Sequence, residues 1–475
     1  MSPADAPLLQ SADPDRPILF ADGRTVAAGE FLASVRRVAA ALPEGGPLIN
    51  LCERRDRFLI AYCAALASGG TNLLPPSRAP LVIEEVAAGY ADSRRCDDEW
   101  VDRALAATGG GEDGPADGGR ADGRADVRRA GVERAEGDLR VALAHIAEIA
   151  FTSGSTGAPR AHVKRWRNLL GSTAFNAARI GECLAPRYGA ARPWIVATVP
   201  PQHMYGTETS ILLPLAADMA VHAARPLYPA DVAAALADVP APRVLVATPV
   251  HLRALVGSGL RFPDVGVIVS ATAPLDRPLA VAAESAFGAV MLEMFGSTET
   301  CVIATRRTAQ EEAWRLYPGV SLIPEAQGAR VEAPWFDEPA LLQDIVELEP
   351  PDRFFVRGRN VDLIEVAGKR ASLADLTRRV LAIAGVRDAV VFQPEGVGIG
   401  PAAPGSAGLV RRVAAFVVAP DLSAESILGE LGRCVDPAFL PRPLVLVPAL
   451  PRNEVGKLSR EALDALARRH LPHDS

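Results

Sequence analysis

Short runs of near-continuous Val, Ile and Leu, separated by stretches with helical spacing, constrain this chain more than any other feature. PLINL, TNLLP, IAEIAFT, PWIVATV, RVLVATP, VGVIVS and VMLEMF are short and bounded by turn residues, which favours strands over helices. Uniformly apolar strands are buried on both faces, as in a parallel sheet covered by helices. EFLASVRRVAAAL and RFLIAYCAALASG supply such helices between the strands. Strand and helix alternating in this way predict an α/β fold with a doubly wound domain.

Near Pro350–Arg359 the texture changes. VDLIEV, LADLTRRVLAI, DAVVFQ, VAAFVVAP, SAESILGELGRCV and PLVLVPAL predict strand, helix, two strands, helix and strand. Leu373, Leu376, Val380 and Leu381 share one helical face, and Ser423 and Ser459 suit the N-caps of later helices. The expectation is a large N-terminal doubly wound domain, residues 1–357, joined by a hinge to a small C-terminal α+β domain, residues 358–475. A polar, Gly-rich stretch at about 108–131, TGGGEDGPADGGRADGRADVRRAG, predicts a flexible surface loop without chemistry of its own.

Over 475 residues, Lys+Arg number 50 and Asp+Glu 57, a net charge of −7. That balance argues against nucleic acid or an anionic membrane as the main partner, since either calls for a basic stripe. The first residues carry no basic cap before an apolar run, so no signal peptide is expected. No apolar stretch is long enough for a membrane span. The 6 cysteines show no CxxC spacing, which predicts reduced thiols in a cytoplasmic protein rather than a zinc site or disulfide scaffold.

The strongest local signal is Ile149-Ala150-Phe151-Thr152-Ser153-Gly154-Ser155-Thr156-Gly157-Ala158-Pro159-Arg160. A strand enters a loop rich in glycine and hydroxyls. Glycines let the backbone approach a polyphosphate and expose its N–H groups; the hydroxyls add donors, and Arg160 or Lys164 can balance the charge. The spacing is not the GxxxxGK[ST] of P-loop proteins.

Three further segments follow in order: Met294-Phe295-Gly296-Ser297-Thr298-Glu299-Thr300, then Gly358-Arg359-Asn360-Val361-Asp362 with Gly368-Lys369-Arg370, then Pro451-Arg452-Asn453-Glu454-Val455-Gly456-Lys457-Leu458-Ser459-Arg460. With Pro201-Gln202-His203-Met204-Tyr205-Gly206 and Ser270-Ala271-Thr272-Ala273-Pro274-Leu275, the set resembles the acyl-adenylate-forming superfamily of acyl- and aryl-CoA synthetases, peptide adenylation domains and luciferases. The resemblance runs over essentially the whole chain and implies a ligase, of the stand-alone acyl- or aryl-CoA synthetase kind. Such an enzyme uses ATP and Mg²⁺ to adenylate a carboxylic acid, then passes the acyl group to coenzyme A or to the phosphopantetheine of an acyl carrier protein.

Roles follow by resemblance. Thr152, Ser153, Gly154, Ser155, Thr156 and Gly157 would cradle the pyrophosphate part of ATP, with Arg160 and Lys164 near it. Glu299 would hold Mg²⁺ with Thr152 close by. Phe295 would lie against adenine beside Gly296, and Thr298 by the α-phosphate. Asp344 and Arg359 would take the ribose hydroxyls, and Lys457 would bridge the substrate carboxylate and the α-phosphate. His203 would stand at the entrance of an acyl pocket lined by Met204, Tyr205, Thr207, Ala271, Thr272, Met294 and Cys301. These mid-sized, mostly apolar side chains imply an aromatic or medium-chain acid.

The chain departs from the family pattern at two charged positions. Pro159-Arg160-Ala161 stands for the usual Pro-Lys-Gly, with Lys164 read as one turn later, and Val361 stands where the hinge usually carries Asp or Lys. The rival reading, a nucleotide-binding scaffold or regulatory protein with impaired catalysis, rests on those two residues. Intact Glu299 and Lys457 speak against it.

Overall fold

The computed structural model describes residues 4–76, 78–107, 139–153, 159–325, 328–359, 363–366, 369–394, 413–433, 435–453 and 456–471. The expected loop at 108–131 lies outside them, as do Gly154–Gly157 and the hinge residues Val361 and Asp362. The backbone divides into two compact units, Met1–Val246 and Ala247–Ser475.

Besides the small antiparallel pair Asp5–Pro7 and Arg140–Ala142, the first unit carries strands of two larger sheets. In one, Arg94–Cys96, Leu48–Asn50, Asn72–Leu74 and Ile146–Ser153 run parallel, and Pro159–Arg165 closes the edge antiparallel. In the other, Trp194–Ala197 pairs in parallel with Ala220–His222 and Arg243–Ala247, and Pro17–Ala21 joins Ala220–His222. The expected apolar runs are these strands, and WIVA is buried throughout. Helix Ala28–Ala40 turns Phe31, Val35 and Val38 inward. Helix Arg55–Ala67 is buried on nearly every side, from Phe58 to Leu66.

At the head of that helix the Arg55 side chain is wholly buried. It donates to Ser210 Oγ at 3.1 Å and to the carbonyls of Ala197 (3.1 Å), Val199 (2.7 Å), His222 (3.3 Å) and Ala224 (2.6 Å). A guanidinium offers five N–H groups in a fixed fork. Here it spreads its charge over carbonyl dipoles at the strand ends and fastens them to the helix.

In the second unit Val267–Ser270 and Val290–Ser297 pair in parallel. Cys301–Arg306, Trp314–Leu316, Arg353–Arg359 and Asp344–Glu349 continue the sheet antiparallel. The C-terminal elements form the expected α+β unit. Asp388–Phe392, Ala414–Val418 and Leu444–Leu446 make a three-stranded sheet. Ala415 and Val417 pack on one face with Leu376, Val380, Ile427 and Leu431, and Leu373 and Leu381 flank them. Ala414 and Phe416 pack on the other with Val447 and Leu463. Ser423 and Ser459 cap their helices, accepting from the N–H groups of Ser426 and Ala462 at 3.1 Å each. Among the described residues no helix is long and apolar enough to cross a membrane, and every cysteine is free.

One correction concerns Lys164. It lies not a helical turn after Arg160 but four places along the strand Pro159–Arg165, opposite Glu148. Alternation along a strand puts Arg160, His162 and Lys164 on one face, and on that face Lys164 is buried while Arg160 is exposed. Glu148 is wholly buried and accepts from Tyr62 Oη at 2.8 Å. Burial pushes its carboxyl up to about 7, against the opposing pull of the Tyr62 hydrogen bond and the Lys164 charge.

A carboxyl whose folded pKa lies above its unfolded value holds a proton in the folded state that the unfolded chain has released. Between about 4.5 and 7 this group therefore makes stability fall as pH rises, and below that window the penalty disappears. Glu148→Gln should flatten that part of the stability profile. Urea unfolding at pH 5, 6 and 7 measures it, and equal slopes in both proteins would count against the assignment.

Candidate functional site

In the first unit the hairpin register brings Ser153 opposite Pro159 and Thr152 opposite Arg160, so the expected phosphate loop joins the ends of two paired strands. Thr152 Oγ1 lies 2.9 Å from His162 Nε2. His162 is buried and was not picked out by the motif. The alternation in PRAHVKR, which aims His162 at the Thr152 face, is the signal that points to it. Arg160 is exposed opposite Thr152, whereas Lys164 is buried opposite Glu148.

Further along, His203 is half-buried and precedes the short helix Met204–Thr207. Gly206 packs so tightly that a Cβ there would lie 2.0 Å from the Pro200 carbonyl oxygen. Met204 and Tyr205 are buried. Thr207 is buried with its hydroxyl donating to the Pro201 carbonyl at 2.7 Å, so its polar atom serves the turn. Behind the helix Ser172 donates to Glu208 at 2.9 Å.

The second unit places its expected residues around a buried carboxylate. Glu293 sits inside the otherwise apolar VMLEMF strand. It accepts from Arg306 Nε at 2.7 Å, Thr308 Oγ1 at 2.5 Å and the Leu275 N–H at 3.4 Å. Burial raises its pKa, opposed by Arg306 and Thr308. Leu275 ends the Ser270–Leu275 segment, where Ala271 and Thr272 are half-buried and Thr272 has φ 78.

Two residues beyond Glu293 the Phe295 ring packs on Trp314 (centroids 5.0 Å) and Phe354 (5.4 Å). It remains half-buried, which leaves ring surface for another planar group. Gly296 then meets the returning strand. A Cβ there would lie 2.0 Å from the Cys301 carbonyl oxygen, and only glycine fits. Cys301 itself is buried with φ 58, a left-handed conformation that costs a non-glycine residue roughly 1 kcal/mol. Between them the turn is held by reciprocal bonds: Ser297 N–H to Thr300 Oγ1 at 3.0 Å and Thr300 N–H to Ser297 Oγ at 3.3 Å. Thr298 and Glu299 ride on it, half-buried, and Met294 is buried below.

Asp344 and Arg359 are expected at the same ribose by resemblance alone. The antiparallel pair Asp344–Glu349 and Arg353–Arg359 sets them directly opposite each other. Lys457 is exposed on a tight turn, its N–H donating to Asn453 Oδ1 at 2.8 Å.

The Thr152 hydroxyl in the first unit and the Glu299 carboxylate in the second are each, taken singly, hard oxygens of the kind Mg²⁺ takes. Among the described residues no group of three or more His, Cys, Asp or Glu could cage a metal.

The sequence profile described as AMP-binding enzyme matches residues 10–332. A 4-coumarate–CoA ligase from Rhodobacter capsulatus is 32% identical over 237 residues, 50% of this chain and 58% of that protein, so the match spans little over half of that relative. Another, from Halorhodospira halophila, is 29% identical over 332 residues, 66% of this chain and 75% of the relative. The solved structure of o-succinylbenzoate CoA synthetase from Bacillus subtilis, in complex with its acyl-adenylate intermediate, superposes with a TM-score of 0.76 over 97% of this chain and 98% of its own. At 17% identity that likeness speaks for the fold alone. A profile match over most of the chain, on a fold shared from end to end, makes this protein a member of the AMP-binding enzyme family.

Proposed function

We propose that the chain is an ATP-dependent acid–thiol ligase. It adenylates a carboxylic acid, aromatic or medium-chain, and transfers the acyl group to coenzyme A or to a carrier-protein phosphopantetheine. The observation that carries this reading is the hairpin register setting Asp344 opposite Arg359. A carboxylate accepts two O–H donors, and a ribose presents two.

In the first half-reaction a substrate carboxylate oxygen attacks the α-phosphorus, and the bond to the pyrophosphate oxygen breaks. An anion attacking a polyanion needs compensating charge. Lys457 supplies it between carboxylate and α-phosphate, and Arg160 supplies it at the departing pyrophosphate. Mg²⁺, held by Glu299 and Thr152, would neutralise phosphate charge and leaving-group charge. Phe295 stacks on adenine, and Thr298 donates to the α-phosphate. In the second half-reaction the thiol sulfur attacks the acyl carbon, AMP leaves, and the thiol proton passes to solvent. His203, Met204, Tyr205, Ala271, Thr272, Met294 and Cys301 shape the acid's site. Similarity to 4-coumarate–CoA ligases supports an aromatic acid. The division into an adenylate-forming part, 1–357, and a moving part, 358–475, belongs to the same reading.

The deciding experiment is ATP–pyrophosphate exchange with 4-coumarate, benzoate, octanoate and acetate. Exchange with at least one aromatic or medium-chain acid is expected, and none with any acid would favour the non-catalytic rival. Glu299→Gln keeps the shape but loses the charge a hard cation requires. Exchange should drop sharply with thermal stability preserved, whereas a wild-type rate would remove Glu299 from the metal site.

Lys457→Ala should slow adenylate formation by ~10²–10³-fold, the usual loss for a charge-stabilising donor. Given preformed acyl-AMP and thiol acceptor, the same variant should still make thioester. Equal loss in both half-reactions would argue against a C-terminal part that alternates between them.

A further inference from the structure

The turn that bears Lys457 is short and its cation exposed, yet its backbone is tied at several points. Asn453 N–H donates to the Lys457 carbonyl, Gly456 N–H donates to the Asn453 carbonyl, and Lys457 N–H donates to Asn453 Oδ1, each at 2.8 Å. Arg452 and Leu458 close it as an isolated antiparallel bridge. Gly456 takes φ +78, and a Cβ added there would lie 3.1 Å from Val250 Cγ2 and 3.7 Å from Thr248 Oγ1. The turn thus sits close to the start of the helix Pro249–Gly257.

Arg452 reaches across this turn. Its Nη1 donates at 3.0 Å to the carbonyl of Gly456, the peptide that leads into Lys457. Its other edge is fixed independently. Nε donates to Asp388 Oδ2 at 2.7 Å and Nη2 to Asp388 Oδ1 at 2.8 Å, and Nη2 also reaches the Ala389 carbonyl at 3.3 Å. Asp388 opens the strand Asp388–Phe392 and its Oδ1 accepts the Ala389 N–H at 2.8 Å, so the carboxylate is anchored to the sheet. Both side chains are four-fifths buried, at 20% exposure each. A bidentate guanidinium–carboxylate pair fixes direction as well as distance, and a lysine ammonium in its place could not hold two partners in that plane.

We propose that Arg452, clamped by Asp388, is a positioning residue for adenylation: it fixes the Gly456 peptide and so the direction in which Lys457 leaves the turn. The inference rests on the role of Lys457 given above. A misplacement of about 1 Å at a reacting group costs up to ~10²-fold, so the loss should appear in the adenylation rate constant rather than in substrate affinity.

The test uses Arg452→Gln, Arg452→Lys and Asp388→Asn in the full chain, with the acid that gives the fastest pyrophosphate exchange. Each variant should lower kcat for adenylate formation by ~10–100-fold with KM for ATP and acid nearly unchanged. Thioester formation from preformed acyl-AMP should stay near wild type. Arg452→Lys should fall with Arg452→Gln, because charge without the fork does not hold the turn. Adding Arg452→Gln to Lys457→Ala should cost nothing further, since both act through one group.

A folded Arg452→Gln variant with full adenylation kcat would overturn the clamp, as would equal loss in both half-reactions or losses that multiply in the double variant. If Lys457→Ala itself adenylates normally, the role of Lys457 fails first and the clamp with it. If Lys457→Ala is dead and the Arg452 and Asp388 variants are not, only the clamp fails.

Discussion

The second unit's candidate residues depend on one buried carboxylate. Glu293 is 3% exposed and would be costly to bury without partners. Its partners come from different segments: Arg306 from the returning strand, Thr308 from beyond it, and the Leu275 N–H from the Ser270–Leu275 segment. Satisfying that charge therefore fixes the spacing between the Ser270–Leu275 segment and the strand that ends in Gly296-Ser297-Thr298-Glu299. Arg306 carries the constraint outward, because its guanidinium lies 4.3 Å above the Trp314 ring on which Phe295 packs. Removing one partner of such a pair leaves an uncompensated charge and typically costs about 3–5 kcal/mol.

Where local chemistry decides structure, the sequence is readable. Uniform apolar runs such as WIVA and VLVA leave a strand no wet face, and both lie in strands and are buried as expected. A serine before a helical pattern offers its oxygen to an orphan N–H, as Ser423 and Ser459 do. Register is another matter. Nothing local says that Asp344 faces Arg359, since the partner is chosen by the pairing of a whole hairpin. Lys164 shows the same limit: a helical reading of its spacing from Arg160 gives way to a strand paired from Ile146 to Ser153. Glu293 was legible only as an oddity, a charge in an apolar run, and its partners at Leu275, Arg306 and Thr308 are scattered in sequence. His162 lies in the same class, two places from the loop's expected cation and visible only once the strand is known.

The strand register also separates the two cations expected beside the phosphate-binding loop of the proposed function. Lys164 is 4% exposed and opposite Glu148, a carboxyl that burial pushes toward neutrality. Buried on its strand face, its ammonium is not on the surface that a phosphate would approach. Arg160 is exposed and opposite Thr152. In the proposed reaction the pyrophosphate charge therefore falls to a guanidinium, which binds phosphate through a planar fork rather than as a compact point charge. That geometry is more directional than the Pro-Lys-Gly ending of the resembled family would provide.

The division of labour between cations has a compositional side. Of the 50 Lys+Arg, lysine stands only at Lys164, Lys369 and Lys457. Nearly every cationic task is thus done by arginine, including the carbonyl hub at Arg55, the Glu293 pair at Arg306 and the fork at Arg452. Each of these fixes structure through several N–H groups at once, which suits a rigid plane. An ammonium on a flexible four-carbon stem does the opposite: it brings one compact charge and keeps the freedom to turn it. At Lys164 the compact head fits a buried strand face beside Glu148. At Lys457 the stem is exposed on a turn whose backbone is fixed by Asn453 and Arg452, so rotation is confined to the side chain itself. For the role proposed for Lys457, a charge between two anions that approach during a reaction, a compact head on a four-carbon stem over a fixed turn suits better than a rigid plane, and the chain departs from its arginine habit at that position.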